Sequence, residues 1–330
     1  MNSRQRFCET LAFGQPDRVP LFEEGIRADV LDIWRIQGMP DGVPLSDLFP
    51  IDQRVEIAPE LEPHPRLMRW PADLSDLSAL QQSLDVNDPW RLPAGWPALV
   101  QDWSKNENPL MLRVHRGLYQ TLGVTGWRRF EEVNFLLKDA PDLVGEILKI
   151  QALFAAQLVE RLLSEVVVDA AIFSEPISGI SGPLISPFMF EEFVELSYAP
   201  ILEVLQNYGV QTIIFRTYAN AYILLPVVLK WGFNCLWACE VGLETMDYGR
   251  IRKVFGRDLR LIGGIDVDAL RQDKETIRRE VEKKVLPLLE DGGFIPLADG
   301  RVRAIVPYEN YVFYRNLLAQ VVGDKALGWI

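Results

Sequence analysis

The 330-residue sequence predicts a (β/α)8 TIM barrel in one domain, residues 1–330, with a Trp/Pro-rich N-terminal elaboration. Three observations lead there. From about residue 109 onward, short apolar runs alternate with amphipathic ones. The apolar runs are near-continuous, as in parallel strands buried on both faces. No Gly-rich phosphate loop follows the first strand, which weighs against a dinucleotide-binding sheet.

Each element has its own warrant. "SRQRFCETLAFG" has helical spacing with a Ser cap at Ser3, and "DRVPLFEEG" reads as a short strand. Residues 40–100, dense in Pro and Trp, read as loops and short helices wrapped over the barrel. "PLMLRVHRG" is a strand. "APDLVGEILKIQALFAAQLVERLLSE" is a long helix with Leu143, Ile147, Ile150 and Phe154 on one stripe. "VVVDAAIFSE" is a strand, and the next helix opens on Ser186 with Pro187 at its first position. "VQTIIFRT", "FNCLWACE", "LRLIGGID" and "FIPLAD" are further strands, separated by the helical "AYILLPVVLKWG", "YGRIRKVFG" and "KETIRREVEKKVLPLLEDGG". "VPYENYVFYRNLLAQVVG" supplies the last helix.

Composition narrows the function classes. With 48 % hydrophobic and 24 % charged residues the chain can build a core and a solvated surface. A net charge of −12 and the absence of a Lys/Arg-rich block argue against nucleic-acid binding. No apolar run approaches the roughly 20 residues that span a bilayer. The N-terminus lacks the apolar core of a secretory signal, so a cytoplasmic location is expected. Three cysteines suit a reducing compartment, and two histidines leave little material for histidine-based metal sites or triads. Cys235 and Cys239 on one strand would sit about 13 Å apart at about 3.3 Å per residue, too far for one ion, and read as core thiols.

In a barrel of this kind chemistry gathers at the C-terminal strand ends. The polar residues there are Glu23 and Glu24, Arg113, His115 and Arg116, Glu175, Arg216 with Tyr218 and Asn220, Glu240, Asp266, and Asp299 with Arg301 and Arg303. Such a set suits a site for a polar or anionic ligand; the alternative for any single member is an ion pair that closes the barrel top. Glu175, ahead of the lid-like "SGISGPLISP" loop, is the leading acid/base candidate, with His115 and Tyr218 beside it. The expected substrate contacts are Arg216, Asn220, Glu240, Glu24, Asp266, Asp299, Arg301 and Arg303.

Several phrases carry a resemblance. "SRQRFCETLAFGQPDRVPLFE", "SGPLISPFMFEEFVELSYAPILEVLQNYGVQTIIFRTYAN", "LRLIGGIDVDAL" and "GGFIPLADGRVRAIVPYENY" resemble, in order, blocks of the uroporphyrinogen decarboxylase and cobalamin-dependent methyltransferase superfamily. The resemblance implies a single (β/α)8 barrel with a deep C-terminal cleft. Zinc-using methyltransferases of that superfamily carry an H-x-C pair and a later Cys. Here Arg216 stands at the His and Tyr218 at the first Cys, with Gly300 or a neighbour at the last ligand. A guanidinium does not coordinate a cation, so zinc is not expected. The decarboxylases carry "RQAGRY" after the first strand, where this chain has "EEGIRADVLDIW", and Glu23 and Glu24 would repel a polycarboxylate porphyrinogen. The resemblance therefore implies a divergent, zinc-free branch: methyl transfer with a corrinoid on a partner protein or a pterin, acting on a small anionic or methylated substrate. A decarboxylase-like carboxy-lyase and a non-catalytic ligand-binding barrel are the alternatives.

Overall fold

The computed structural model describes residues 1–239 and 246–323. Among these, seven parallel strands form one curled sheet in sequential order. They are β1 (Val55–Ile57), β2 (Leu110–His115), β3 (Ala170–Glu175), β4 (Thr212–Tyr218), β5 (Cys235–Cys239), β6 (Arg260–Ile265) and β7 (Phe294–Ala298). Helices such as Pro141–Leu163, Tyr248–Phe255 and Lys274–Asp291 connect successive strands. No helix among the described residues is long and apolar enough to cross a membrane.

Two expectations need correction. The eighth strand expected in residues 17–25 is extended chain without a ladder, so a complete eight-stranded barrel is not formed by the described residues. The segment meets the β1 side where Leu21 C=O accepts from Asp52 N–H (3.1 Å), and the β7 side at one bridge, Ile26 to Val302. Several of its other backbone groups are taken by side chains. Leu21 N–H donates to the Asp52 carboxylate (2.8 Å), and the carbonyls of Phe22 and Glu23 accept from Arg315 (3.0 Å) and Arg54 (2.8 Å). Pro20 supplies no N–H, and buried backbone groups must find partners somewhere. Second, the Pro-rich region is not only loops: Val55–Ile57 is the edge strand of the sheet. Elsewhere the expected strands form where predicted, although the first helix, Ser3–Leu11, is capped by Asn2 in a capping box with Gln5, not by Ser3.

Strand side chains alternate between two apolar clusters. Leu112, Ala171, Phe173 and Phe215 face the helices, in the larger cluster. Met111, Ile172, Ile214, Cys235, Ile262 and Ile295 face the lumen, where Phe7 and Leu11 of the first helix join them. Because register partners on parallel strands share a face, Ser174, Arg216, Trp237, Ile262 and Ile295 form one lumenal row. Glu175 and Thr217 begin the next row, which points the other way.

Candidate active site at the C-terminal mouth of the sheet

The lumenal row ends in charge. Arg216 is buried, with Nη2 3.1 Å from Glu24 and Nη1 3.2 Å from Glu56. Its guanidinium lies 4.3 Å from the centroid of the Trp237 ring, its register partner. Arg54 reaches the same ring at 4.9 Å and the same two carboxylates, 3.5 Å from Glu24 and 3.4 Å from Glu56. Arg113 on β2 donates to Glu56 through Nε (2.7 Å). Burial works against the Glu56 carboxylate, but Arg216, Arg113 and Arg54 together hold it below the usual range. Burial likewise opposes the charge on Arg216, and Glu24 and Glu56 more than restore it. Strand β4 thus ends on a guanidinium because two carboxylates and an indole face are waiting for it.

Among the described residues this lattice sets three guanidiniums against two carboxylates, and its outer member, Arg113, has a side chain 46 % exposed. It opens into a cleft of about 720 Å³, whose walls include Arg113, Arg116, Ser174, Gln120 and Tyr218, with residues 58–61 and 90–93 opposite. That volume suits a small organic ligand. Burial raises the Tyr218 phenol, as does Cys239, so the hydroxyl stays a donor at neutral pH. Burial also pushes the Cys239 thiol up to about 12, and Cys235 stands likewise. Among the described residues no three His, Cys, Asp or Glu side chains converge to hold a metal ion.

Behind the sheet the same strand ends build something different. Glu175 has no exposed surface; it accepts from Leu118 N–H (3.0 Å) and from the Tyr198 hydroxyl (2.6 Å). Burial pushes its pKa up to about 8, against the pull of those two donors. Gly117, at φ +100°, clears the space: a Cβ there would come within 2.8 Å of the Glu175 carboxyl. His115 accepts from Gly117 N–H at Nδ1 (2.9 Å), which leaves Nε2–H to donate to the Ser197 hydroxyl (2.9 Å). Burial, with Arg116 nearby, drives this imidazole down to about 3, so it is neutral. Ser197 and Tyr198 are consecutive, and both reach the sheet from a π-helical turn, Val194–Tyr198. The expectation that Glu175 and Arg216 share one cavity therefore fails. They stand at the same end of the sheet on opposite faces.

The remaining expected contacts are dispersed. Glu24 belongs to the lattice, whereas Glu23 is drawn away to the Tyr311 hydroxyl (2.6 Å) and Arg315 (3.5 Å). Asn220 accepts from Tyr222 N–H (3.3 Å), and its own N–H donates to Gly179 in the hairpin Ser178–Gly179/Gly182–Pro183. Asp266 caps the short helix Val267–Arg271, and buried Asp299 accepts from Val267 N–H (2.9 Å). Arg303 lies 3.8 Å from Asp268, and Arg301 is exposed. Glu240 lies outside the described residues. Arg54, Glu56 and Trp237 were not anticipated. The signal for the first two was present in "RVEI", where polar and apolar residues alternate with the strand period.

No protein-family model matches the chain, and no curated protein matches it. Among solved structures, a methyltransferase from Methanosarcina mazei is similar with a TM-score of 0.62 at 13 % identity, covering 97 % of this chain and 99 % of that one. At that identity the likeness shows a shared fold. A structure described as a vitamin-B12 independent methionine synthase from Listeria monocytogenes is a looser match, with a TM-score of 0.39 at 11 % identity over 68 % of this chain and 70 % of that one.

Proposed function

We propose that the chain is a methyltransferase-type enzyme that binds a small anionic substrate in the mouth cleft and works without a zinc-held thiolate. The observation that carries the substrate class is the surplus guanidinium charge, presented to the cleft by Arg113. The reaction class rests on the fold shared with a methyltransferase, together with the resemblance of the strand-end phrases. Arg113 is the residue assigned to the substrate anion. Arg216 and Arg54 are positioning residues: they hold Glu56, and Glu56 holds Arg113. Tyr218 offers a neutral hydroxyl to the same cleft.

A guanidinium and a phenol where zinc ligands would stand do not fit that metal. A pterin-sized group fits the volume, and a corrinoid carried by a partner protein would approach the open mouth. Either would supply the methyl-transfer chemistry, while this chain's residues bind and orient the substrate. Glu175 acts behind the cleft wall, fixing the start of the Leu118–Thr121 turn, while His115, itself part of that wall, holds the π-helical turn. The carboxy-lyase reading is second. It is favoured by the same charge surplus and by the sequestering of Glu23, which removes one of the two carboxylates set against an anionic substrate.

The test is methyl transfer to or from free cobalamin with small carboxylates and thiols, run beside uroporphyrinogen decarboxylation. The expected result is cobalamin-linked turnover whose kcat/KM falls about tenfold or more in Arg113→Ala, the loss of a charged hydrogen bond worth about 1.5–3 kcal/mol. Decarboxylation without a cobalamin reaction overturns the proposal in favour of the second reading.

A further inference from the structure

A second, larger cleft of about 1110 Å³ adjoins the mouth, between residues 62–72 and the helix Trp127–Asp139. Arg66, Arg69, Arg116, Arg128 and Arg129 line it, an excess of positive charge in a chain of net charge −12. Three carboxylates stand against these five guanidiniums, and two of them are shared: Glu62 serves both Arg66 (3.4 Å) and Arg116 (2.8 Å), and Glu132 serves both Arg128 (3.2 Å) and Arg129 (3.4 Å), with Asp139 at the end of the helix as the third. Arg69 has no salt bridge among the described residues, though its field acts on Asp73.

Two buried polar atoms here have no hydrogen-bond partner, the Gln120 amide oxygen and Arg129 Nη2. Native structures leave few such atoms, and each asks for a reason. The cleft is also aromatic. Trp70 packs directly on Gly123, where a Cβ would fall 1.9 Å from the indole, and Arg129 lies over the Trp70 ring at 5.4 Å. Trp127 and Phe135 line the same space as exposed rings. Exposed aromatics grouped with arginines at a concave surface suit a ring-bearing anion, the rings stacking on its ring and the guanidiniums pairing with its charge.

Arg116 and Gln120 line both clefts, so one molecule can occupy the two together. We propose that the second cleft is a subsite for the ring-bearing, anionic end of a two-part ligand whose reacting end lies in the mouth. This rests on the mouth being the reaction site, but its own test does not require turnover. The anion is a carboxylate or a phosphate, the two groups a guanidinium fork grips.

Isothermal titration with trimellitate, ADP and pyrophosphate separates the sources: a ring with carboxylates, a ring with phosphates, and phosphates without a ring. The variants are Arg69→Ala/Arg128→Ala, whose side chains are exposed and whose loss leaves the fold intact, and Arg116→Gln at the junction. We expect saturable binding of trimellitate or ADP, weakened about tenfold or more in the double variant, and the tighter of the two names the anion. No saturable binding of either, or binding that both variants leave unchanged, overturns the subsite. Pyrophosphate binding as tight as either ring-bearing anion overturns the ring-bearing part. Methyl transfer without such binding would sink the subsite alone; such binding without methyl transfer would sink the proposed reaction alone.

Discussion

The lumenal and outer faces of the same strand ends solve the burial of polar groups in opposite ways. On the lumenal face Arg216 and Glu56 stay charged, because they sit in a lattice with Arg54, Arg113 and Glu24 in which each guanidinium has a carboxylate and Trp237 offers its ring to two of them. On the outer face Glu175, at the end of β3, and His115, at the end of β2, are left without a counter-ion and become neutral groups, each held by two hydrogen bonds. Solvation decides the difference. A buried charge survives only when paired, and an unpaired titratable group shifts until it is uncharged. Polar residues at the C-terminal end of one curled sheet are therefore not one population.

The largest expected effect breaks the lumenal side. Arg216→Ala strips Glu24 and Glu56 of a shared partner and should destabilise the fold by about 3 kcal/mol, read as a lower urea midpoint. A midpoint unchanged from wild type would mean that Arg54 and Arg113 suffice for both carboxylates.

Next comes Glu175, where the contrast can be sharpened with pH. A carboxyl whose folded value, about 8, exceeds its ordinary 4.5 favours folding fully below pH 4.5 and loses that contribution as pH rises through 8. Glu175→Gln mimics the neutral form, so its melting temperature should lack this decline, and its stability relative to wild type should rise between pH 5 and 8 by more than about 1 kcal/mol. Parallel melting curves for the two proteins would show that the carboxyl is ionised in the fold.

His115 carries the opposite sign. Its folded value, about 3, lies below the ordinary 6.5, so its contribution is present above pH 6.5 and is lost as pH falls toward 3. His115→Gln should remove part of the acid sensitivity, at a cost of about 1–3 kcal/mol at neutral pH from the disturbed Gly117 and Ser197 bonds. An acid-unfolding midpoint identical to wild type would contradict a neutral buried imidazole.

Arg113→Ala should move stability least, within about 0.5 kcal/mol, because its side chain is half-exposed. Anion affinity should nevertheless fall. A stability loss as large as that of Arg216→Ala would make Arg113 another structural tie.

Most strands and helices were legible because long apolar runs and caps speak locally: Ser186 does accept from Met189 N–H, and Pro187 does open its helix. Which face a strand-end residue takes is not local. Two-residue periodicity puts Arg113 and His115 on one side, yet β2 slips between them, so that Arg113 pairs with Ile172 and His115 with Phe173. Glu175 looked catalytic for want of a structural reason, and that reason, Tyr198, comes from a helical turn 23 residues later. The edge strand Val55–Ile57 was hidden by its brevity and its Pro-rich surroundings.

The seam at residues 20–26 meets the two edges of the curled sheet through a joint of a different kind from the rest. Between neighbouring strands cohesion is amide to carbonyl and indifferent to acid. At the seam, Leu21 N–H leans on Asp52, a carboxylate that burial disfavours but Arg18 and its other donors keep ionised below the usual range. Arg6 grips the same carboxylate (3.0 Å), tying the helix that plugs the lumen floor into the joint. Protonating this one side chain loosens floor and wall together, so unzipping in acid should begin here, with Leu21 among the first amides to exchange with solvent while the central strands still hold theirs.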